Sequence, residues 1–299
     1  MEMRQLQIFC AVAEYGSFTA AAEKVHTVQS NVTMRVKELE TELNQQLFVR
    51  QKSGVSLTPA GLTFLEYARK ILQLTDESRH ALMDTATPAG PLRLGSMETT
   101  AAIRLPRILA RYRKSYPQVQ LSLSTGTTAE LIKAIEGHKL DGAFVGGFHQ
   151  NAILEQEQLF TEELVLVSSD EHESLSALVE RMPQQTVLAF RSGCFYRSTL
   201  ENWFYHVGLV PNQILELGTL DGILSCVGAG MGVTLLPRAV AEDHGSRHAI
   251  RCHQLPAEFA NVSTFFIRRK DMFATSAVRA LISLIRDEYA LRGSKATAA

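Results

Sequence analysis

This chain has no sizeable excess of positive or negative charge. Thirty Lys and Arg residues face 31 Asp and Glu over 299 residues, a formal net charge of -1. Whole-chain electrostatics therefore give no reason to expect a polyanion partner, and any nucleic-acid contact must come from a local patch. Cysteine is scarce as well. Cys10, Cys194, Cys226 and Cys252 have neither the C-x-x-C spacing of a zinc site nor the density of a disulfide scaffold, and are expected as reduced thiols. No apolar run is long enough to span a bilayer, and the opening MEMRQLQIFCAVAEYGSF does not read as a secretory signal, so the expectation is a cytoplasmic protein without membrane contact. There is no H-E-x-x-H, no P-loop and no nucleophile-base constellation, which argues against an enzyme.

What is present is 45% apolar and 20% charged residues, enough burial for folded units, in a chain long enough for more than one. Leu6, Phe9, Val12 and Ala13 recur at helical spacing, predicting a helix from Met3 to Tyr15 closed by Gly16. Ser17 caps a second helix, whose Ala21 and Ala22 allow close helix approach. Val32, Val36, Leu39 and Leu43 form the stripe of a third, from about Val28 to Leu43. The remaining faces carry Ser30, Asn31, Thr33, Met34, Arg35 and Lys37, mostly short hydrogen-bonding or cationic side chains that suit a major groove. Two short β-prone stretches, Leu47 to Arg50 and Val55 to Leu57, flank a Lys-Ser-Gly turn, a hairpin whose Arg50 and Lys52 could meet phosphates. On pattern alone, an ordinary three-helix subdomain with a solvated polar face remains the alternative.

The ordered elements L-x-x-F from Leu6 to Phe9, G-S-F-T-A-A-A from Gly16 to Ala22, V-x-x-L-E-x-E-L from Val36 to Leu43, L-F-x-R from Leu47 to Arg50 and L-T-x-A-G from Leu57 to Gly61 resemble the N-terminal signature of LysR-type transcriptional regulators. The resemblance implies a winged helix-turn-helix binding double-stranded promoter DNA, with Gln29, Ser30, Asn31, Thr33, Met34 and Lys37 at base or backbone contacts and Arg50 on the wing. Val28-Gln29-Ser30-Asn31 departs from the Ser-Gln-Pro or Ser-Gln-Ser followed by Ala that is common in the family, so Asn31 could carry its own base preference.

Thr58-Pro59 is a good helix start, and a long helix to about Thr85 carries Phe64, Tyr67, Ile71, Leu74 and Ala81 at spacings of three and four apart from Ser78. This seam could pair two chains or pack on its own domain. The resemblance favours a homodimer, assembling as a dimer of dimers, with RNA polymerase as a further candidate partner. TPAGP, Thr87 to Pro91, reads as a hinge.

From Leu92 onward strand-like and helix-like stretches alternate, implying βαβ units and a parallel sheet: LRLG, a helix around Ala102 to Ser115, VQLSLSTG, a helix around Ala129 to Glu136, then GAFVGG. Ligands in such sheets sit at the carboxyl ends of strands. The loops there offer Ser96, Glu98, Thr99 and Thr100, then Thr127 and Thr128, then Gly147 and Phe148. A second subdomain is expected from near Glu163, with ELVLVSS, TVLAF, LELGT and VTLLP as strands, a return near Thr264 to Arg268 and a last helix from Ala277 to Leu291.

The whole is expected as an α/β multidomain chain: residues 1–58 as the winged domain, 59–86 as linker helix, 87–91 as hinge, 92–162 with 265–292 as one Rossmann-like half, 163–264 as the other, and 293–299 as a flexible tail. The resemblance likens these halves to an effector domain similar to periplasmic solute-binding proteins. It implies effector contacts at Thr99 and Thr127, from the loop of Cys194 and Phe195, and at Thr219 and Val233. With Glu98 and Arg191 or Arg197 supplying either sign of charge, the effector could be an amino acid, a carboxylate or an amine, and no cofactor is expected.

Three sharper features each have a blander reading. Gly228-Ala-Gly-Met-Gly follows a helical stretch, the reverse of dinucleotide-loop order, and reads as a helix stop. His244, His248, Cys252 and His253 read as surface loop residues rather than metal ligands. Cys194 beside Arg191 and Arg197 could make a thiol-based redox switch on the same scaffold, with a packing role the stronger alternative. A solute-binding module with a helical appendage is the remaining alternative.

Overall fold

Gly16 ends the first helix, α1 (Met3–Tyr15), by adopting φ 60°, a left-handed conformation that glycine takes without a Cβ penalty. One residue later the Ser17 oxygen accepts the Ala20 N–H and starts α2 (Phe18–Lys24). Ala21 and Ala22 are fully buried there, so the helices pack closely around Leu6, Phe9 and Val12. The next helix, α3 (Gln29–Leu43), turns Val32, Val36 and Leu39 into the same core and stops where Asn44 becomes left-handed.

A hairpin follows, β1 (Phe48–Gln51) antiparallel to β2 (Gly54–Leu57). It is fastened at two points: the Glu40 carboxylate accepts the N–H groups of Leu47 and Phe48 at 2.8 and 3.2 Å, and the Val55 N–H donates to Gly16 O. The long helix α4 (Pro59–Met83) begins at Thr58, whose oxygen accepts the Gly61 N–H. Leu65 and Ala68 are buried, Ile71 packs against the same cluster, and Phe64 meets Phe9 with ring centroids 5.0 Å apart. The seam divides between the two readings: Phe64 and Ile71 pack on their own domain, whereas Tyr67, Leu74 and Ala81 stay exposed.

The computed structural model describes residues 1–51, 54–169, 174–181, 185–245 and 248–296. It forms two compact units, Met1–Met83 and Asp84–Ala299.

In the second unit β3 (Gly90–Ser96) leads into α5 (Glu98–Ile103) and α6 (Leu105–Ser115). The single helix expected here is two, with a break at Arg104 just before Pro106, which has no N–H to donate. Gly90 and Pro91, expected in the hinge, already pair with Val119 and Gln120 of β4 (Val119–Thr125). Then come α7 (Thr128–Glu136), β5 (Gly142–Gly146) and β6 (Leu154–Ser169).

Strand β6 has 16 residues and begins well before Glu163, so the expected start of a second subdomain falls inside it. The chain continues through α8 (Leu175–Arg181), β7 (Thr186–Ala189), α9 (Phe195–His206), β8 (Gln213–Glu216), α10 (Leu220–Gly228), β9 (Thr234–Pro237), α11 (Arg238–Gly245), β10 (Ile250–Gln254) and α12 (Ala257–Ala260). It returns along β11 (Asn261–Arg269) to α13 (Ser276–Ala296). Residues 293–296, expected in a flexible tail, are helical; 297–299 lie outside the described residues.

The main sheet runs β10-β6-β11-β5-β3-β4, with β9 also on β6. Strands β4, β3 and β5 are parallel, while β11 is antiparallel to both β5 and β6. The first part of β6 pairs with β11, and Leu164 to Ser169 pair with β9 and β10. One strand thus belongs to both halves, and β11 runs beside it between them. Strands β7 and β8 pair in parallel, and α13 returns to the first half, where the buried Tyr112 hydroxyl donates to Ala277 O at 2.8 Å.

The histidine and cysteine cluster is not a surface loop. Cys252 and His253 lie in β10 opposite Val167 and Leu166, and His253 is buried with Nε2 2.8 Å from the Ser168 hydroxyl. His244 contacts the Val240 carbonyl of its own helix. Among the described residues no group of three or more His, Cys, Asp or Glu is placed to hold a metal ion.

Candidate functional sites

With Val32, Val36 and Leu39 turned inward, the 3.6-residue period of α3 leaves Gln29, Ser30, Met34 and Lys37 exposed and Asn31, Thr33 and Arg35 half-buried. Two of the polar side chains are held in place: Asn31 Nδ2 donates to Thr27 Oγ1 at 2.9 Å, and the Thr33 hydroxyl donates to Gln29 O at 3.0 Å while accepting from Gln29 Nε2. Arg35 is turned aside, within 3.4 Å of Glu2 and 3.2 Å of Glu38. Lys37 has no acidic partner among the described residues. The Arg50 side chain and Lys52 lie outside the described residues.

A second site opens where the carboxyl ends of β3 and β4 face the loops after β7 and β8. It encloses about 60 Å³ and brings together Glu98, Thr99, Thr127, Thr128, Arg191 and Cys194 of the expected set. Ser96 and Thr100 are fully buried and not part of its lining, and the Ser96 hydroxyl donates to Met97 O. Val233 is core between β7 and β9, and Phe148 is 67% exposed beside Phe265. Thr219 caps α10, next to Gly218, which does line the cleft. Phe195 lies against Gly146 and Gly147, where a Cβ would come within 2.5 Å of its ring, and lines a separate depression with His149. Arg197, the alternative cation, is committed to Glu201 at 2.9 Å and to Glu216.

Sequence reasoning missed the most connected group. Tyr196, adjacent to Phe195 but turned about 100° around α9, lines the cleft and is buried. Its hydroxyl donates to Glu162 Oε2 at 3.0 Å and accepts from Thr99 Oγ1 at 3.2 Å, while Arg104 Nε donates to Glu162 Oε1 at 3.1 Å. A signal was available, because strand alternation puts Glu162 on the same face as Phe160 and Leu164, and a carboxylate there needs partners. Across the cleft Glu98 Oε1 accepts the Leu220 N–H at 2.9 Å, joining α5 to the start of α10.

Burial and the charge of Glu162 push the Tyr196 hydroxyl well above its ordinary pKa. Burial likewise raises the Cys194 thiol, against the pull of the N–H groups of Arg197 and Tyr196. Glu130 is held below the usual carboxylate range, first by the Thr127 N–H that completes a capping box on α7.

Residues 3–62 match the family model described as bacterial regulatory helix-turn-helix protein, lysR family, and residues 85–290 match the one described as LysR substrate binding domain. The chain belongs to the LysR family. It is similar to the HTH-type transcriptional regulator GltR of Bacillus subtilis, at 41% identity over 98% of both chains. It is also similar to the HTH-type transcriptional regulator CzcR of Bacillus cereus, at 42% identity over 97% of this chain and 98% of the other. Among solved structures, full-length CbnR complexed with its target DNA matches with a TM-score of 0.67 and 26% identity, over 96% of this chain and 99% of that one. This LysR-family chain is therefore a DNA-binding transcriptional regulator with an effector-binding domain, not an enzyme, and the fold is a winged helix-turn-helix, a linker helix and a two-part α/β domain. Among the described residues no helix is long and apolar enough to cross a membrane.

Proposed function

We propose that α3 reads an interrupted-dyad promoter site in the major groove, and that a small molecule held in the cleft shifts the geometry of a homodimer or dimer of dimers on that site. The observation that carries this is the face of α3: short or uncharged side chains at Gln29, Ser30, Asn31, Thr33 and Met34, two of them pre-set by hydrogen bonds, beside the exposed cation of Lys37. That CbnR, similar over 96% of this chain, forms a complex with its target DNA supports DNA binding here. The cleft fits a regulatory role because its lining comes from both halves of the second unit, so a ligand favouring one arrangement of the halves moves a population.

The thiol-switch alternative is weaker, since a raised Cys194 pKa leaves little thiolate at neutral pH. The test is fluorescence polarisation on the chain's own upstream intergenic DNA against a scrambled duplex, at several salt concentrations and with a metabolite panel. Preference for the native duplex that one metabolite alters is the expected result; equal binding to both duplexes in every condition rejects the proposal.

A further inference from the structure

The placement of protons around the cleft narrows the chemistry of its ligand, an inference that rests on the cleft being the effector site. Glu162 accepts from Arg104 and from Tyr196, and a carboxylate has no proton to return. Tyr196 has one proton, and it goes to Glu162. Its oxygen can then only accept, so the hydroxyl 3.2 Å away on Thr99 must be the donor. The proton of Thr99 is thereby used, and toward the cleft its oxygen offers lone pairs alone. Burial and the Glu162 charge keep the Tyr196 hydroxyl protonated, which fixes this order.

The neighbouring Glu98 also lines the cleft. One of its oxygens accepts the Leu220 N–H, and the other meets no donor among the described residues. The side chains of Glu98 and Thr99 thus both present acceptors. A carboxylate or carbonyl placed against these two side chains would lose its hydration and meet lone pairs and negative charge, and its donors would have to be the N–H groups at the start of α5 or Arg191. A primary ammonium brings three donors and the opposite charge.

We propose that the cleft takes a small molecule bearing a protonated primary amine, which donates to Glu98 and Thr99. Arg191 lines the same cleft, so an α-amino acid finds a partner for each of its charges.

The test is differential scanning fluorimetry, followed by titration calorimetry, of the full-length protein with the twenty L-amino acids, their 2-oxo acids and their decarboxylated amines. An amino acid or amine should raise the melting temperature while its 2-oxo acid does not, and Glu98→Gln should weaken that binding by about tenfold or more. Tyr196→Phe, a change that keeps the buried ring, frees the Thr99 proton to point into the cleft and should narrow the preference for amine over 2-oxo acid by about tenfold. A 2-oxo acid that binds as tightly as its amino acid, and loses binding on Thr99→Val, overturns the ammonium assignment and leaves the cleft in place. An amine that binds equally well to wild type, Glu98→Gln and Thr99→Val overturns the cleft as the site. Absence of binding across the panel overturns the ammonium assignment, with the cleft then judged by the wider metabolite panel on DNA.

Discussion

At the scale of single residues, the two cations of α3 divide their roles. Arg35 lies between Glu2 and Glu38, whereas Lys37 is exposed and meets no acidic partner among the described residues. A cation that neutralises a phosphate contributes to the salt dependence of binding; one already neutralised within the protein contributes little. Lys37→Ala should therefore weaken binding on every duplex and flatten the slope of log affinity against log salt by about 1, while Arg35→Ala should leave the slope nearly unchanged. A larger slope change for Arg35→Ala than for Lys37→Ala would reverse this assignment. Asn31 is held by Thr27, and if it reads a base as proposed, Asn31→Ala should relax discrimination at one base pair by about 1–3 kcal/mol, read from affinities for single-substituted operators.

The same scale gives a pH signature at the start of α7. The carboxylate of Glu130 is lowered in the folded protein, so it stabilises the fold above the ordinary Glu pKa, and that contribution disappears as pH falls through the lower folded value. The side chain is half-exposed, which limits the effect to below about 1 kcal/mol. Glu130→Gln should be slightly less stable than wild type at neutral pH, and the two should converge in acid, once pH has fallen through the lowered folded range of Glu130. Urea titrations at both pH values check this, and a gap that widens in acid would contradict it.

At the scale of elements, Gly61 shows why a motif position can be read before its reason is known. L-T-x-A-G identifies the start of α4, but only the fold shows that a Cβ at Gly61 would sit 2.1 Å from the Leu47 carbonyl oxygen. Backbone cannot rotate away as a side-chain tip can, so Gly61→Ala should cost on the order of 1–3 kcal/mol, measured by thermal unfolding of the full chain. An unchanged melting temperature would mean that α4 and the hairpin shift apart freely. The helices α1, α3 and α4 are legible because each buries one stripe at helical spacing with a cap at its start or a left-handed stop at its end. Strand β6 is legible only from Glu163, because polar Glu155 to Gln158 hide a strand half paired with β11. The cleft is half legible: hydroxyl-rich loops point to Thr99 and Thr127, but Tyr196, Glu162 and Arg104 lie 34 to 97 residues from their partners, and only the folded sheet brings them together.

For the whole molecule, the face of α4 left bare after its own domain is packed is the surface through which the proposed dimer would let a nearly neutral chain hold DNA. Tyr67 and Leu74 are 58% and 65% exposed, and with Ala81 they recur every seven residues, the repeat of a helix seam. Pairing two such helices would place two α3 helices on one duplex, converting the second half-site contact into an intramolecular event with an effective concentration near millimolar. Each winged domain then needs only modest affinity, consistent with a net charge of -1 and with a recognition helix on which glutamates flank its few cations. Leu74→Glu puts a charge in the middle of this seam without touching the buried Leu65 and Ala68. It should dissociate the dimer in sedimentation equilibrium, lower affinity for a two-half-site operator by about a hundredfold, and leave affinity for an isolated half-site unchanged. If the variant remains dimeric and binds the full operator normally, the chains pair through another surface and the exposed stripe of α4 has a different partner.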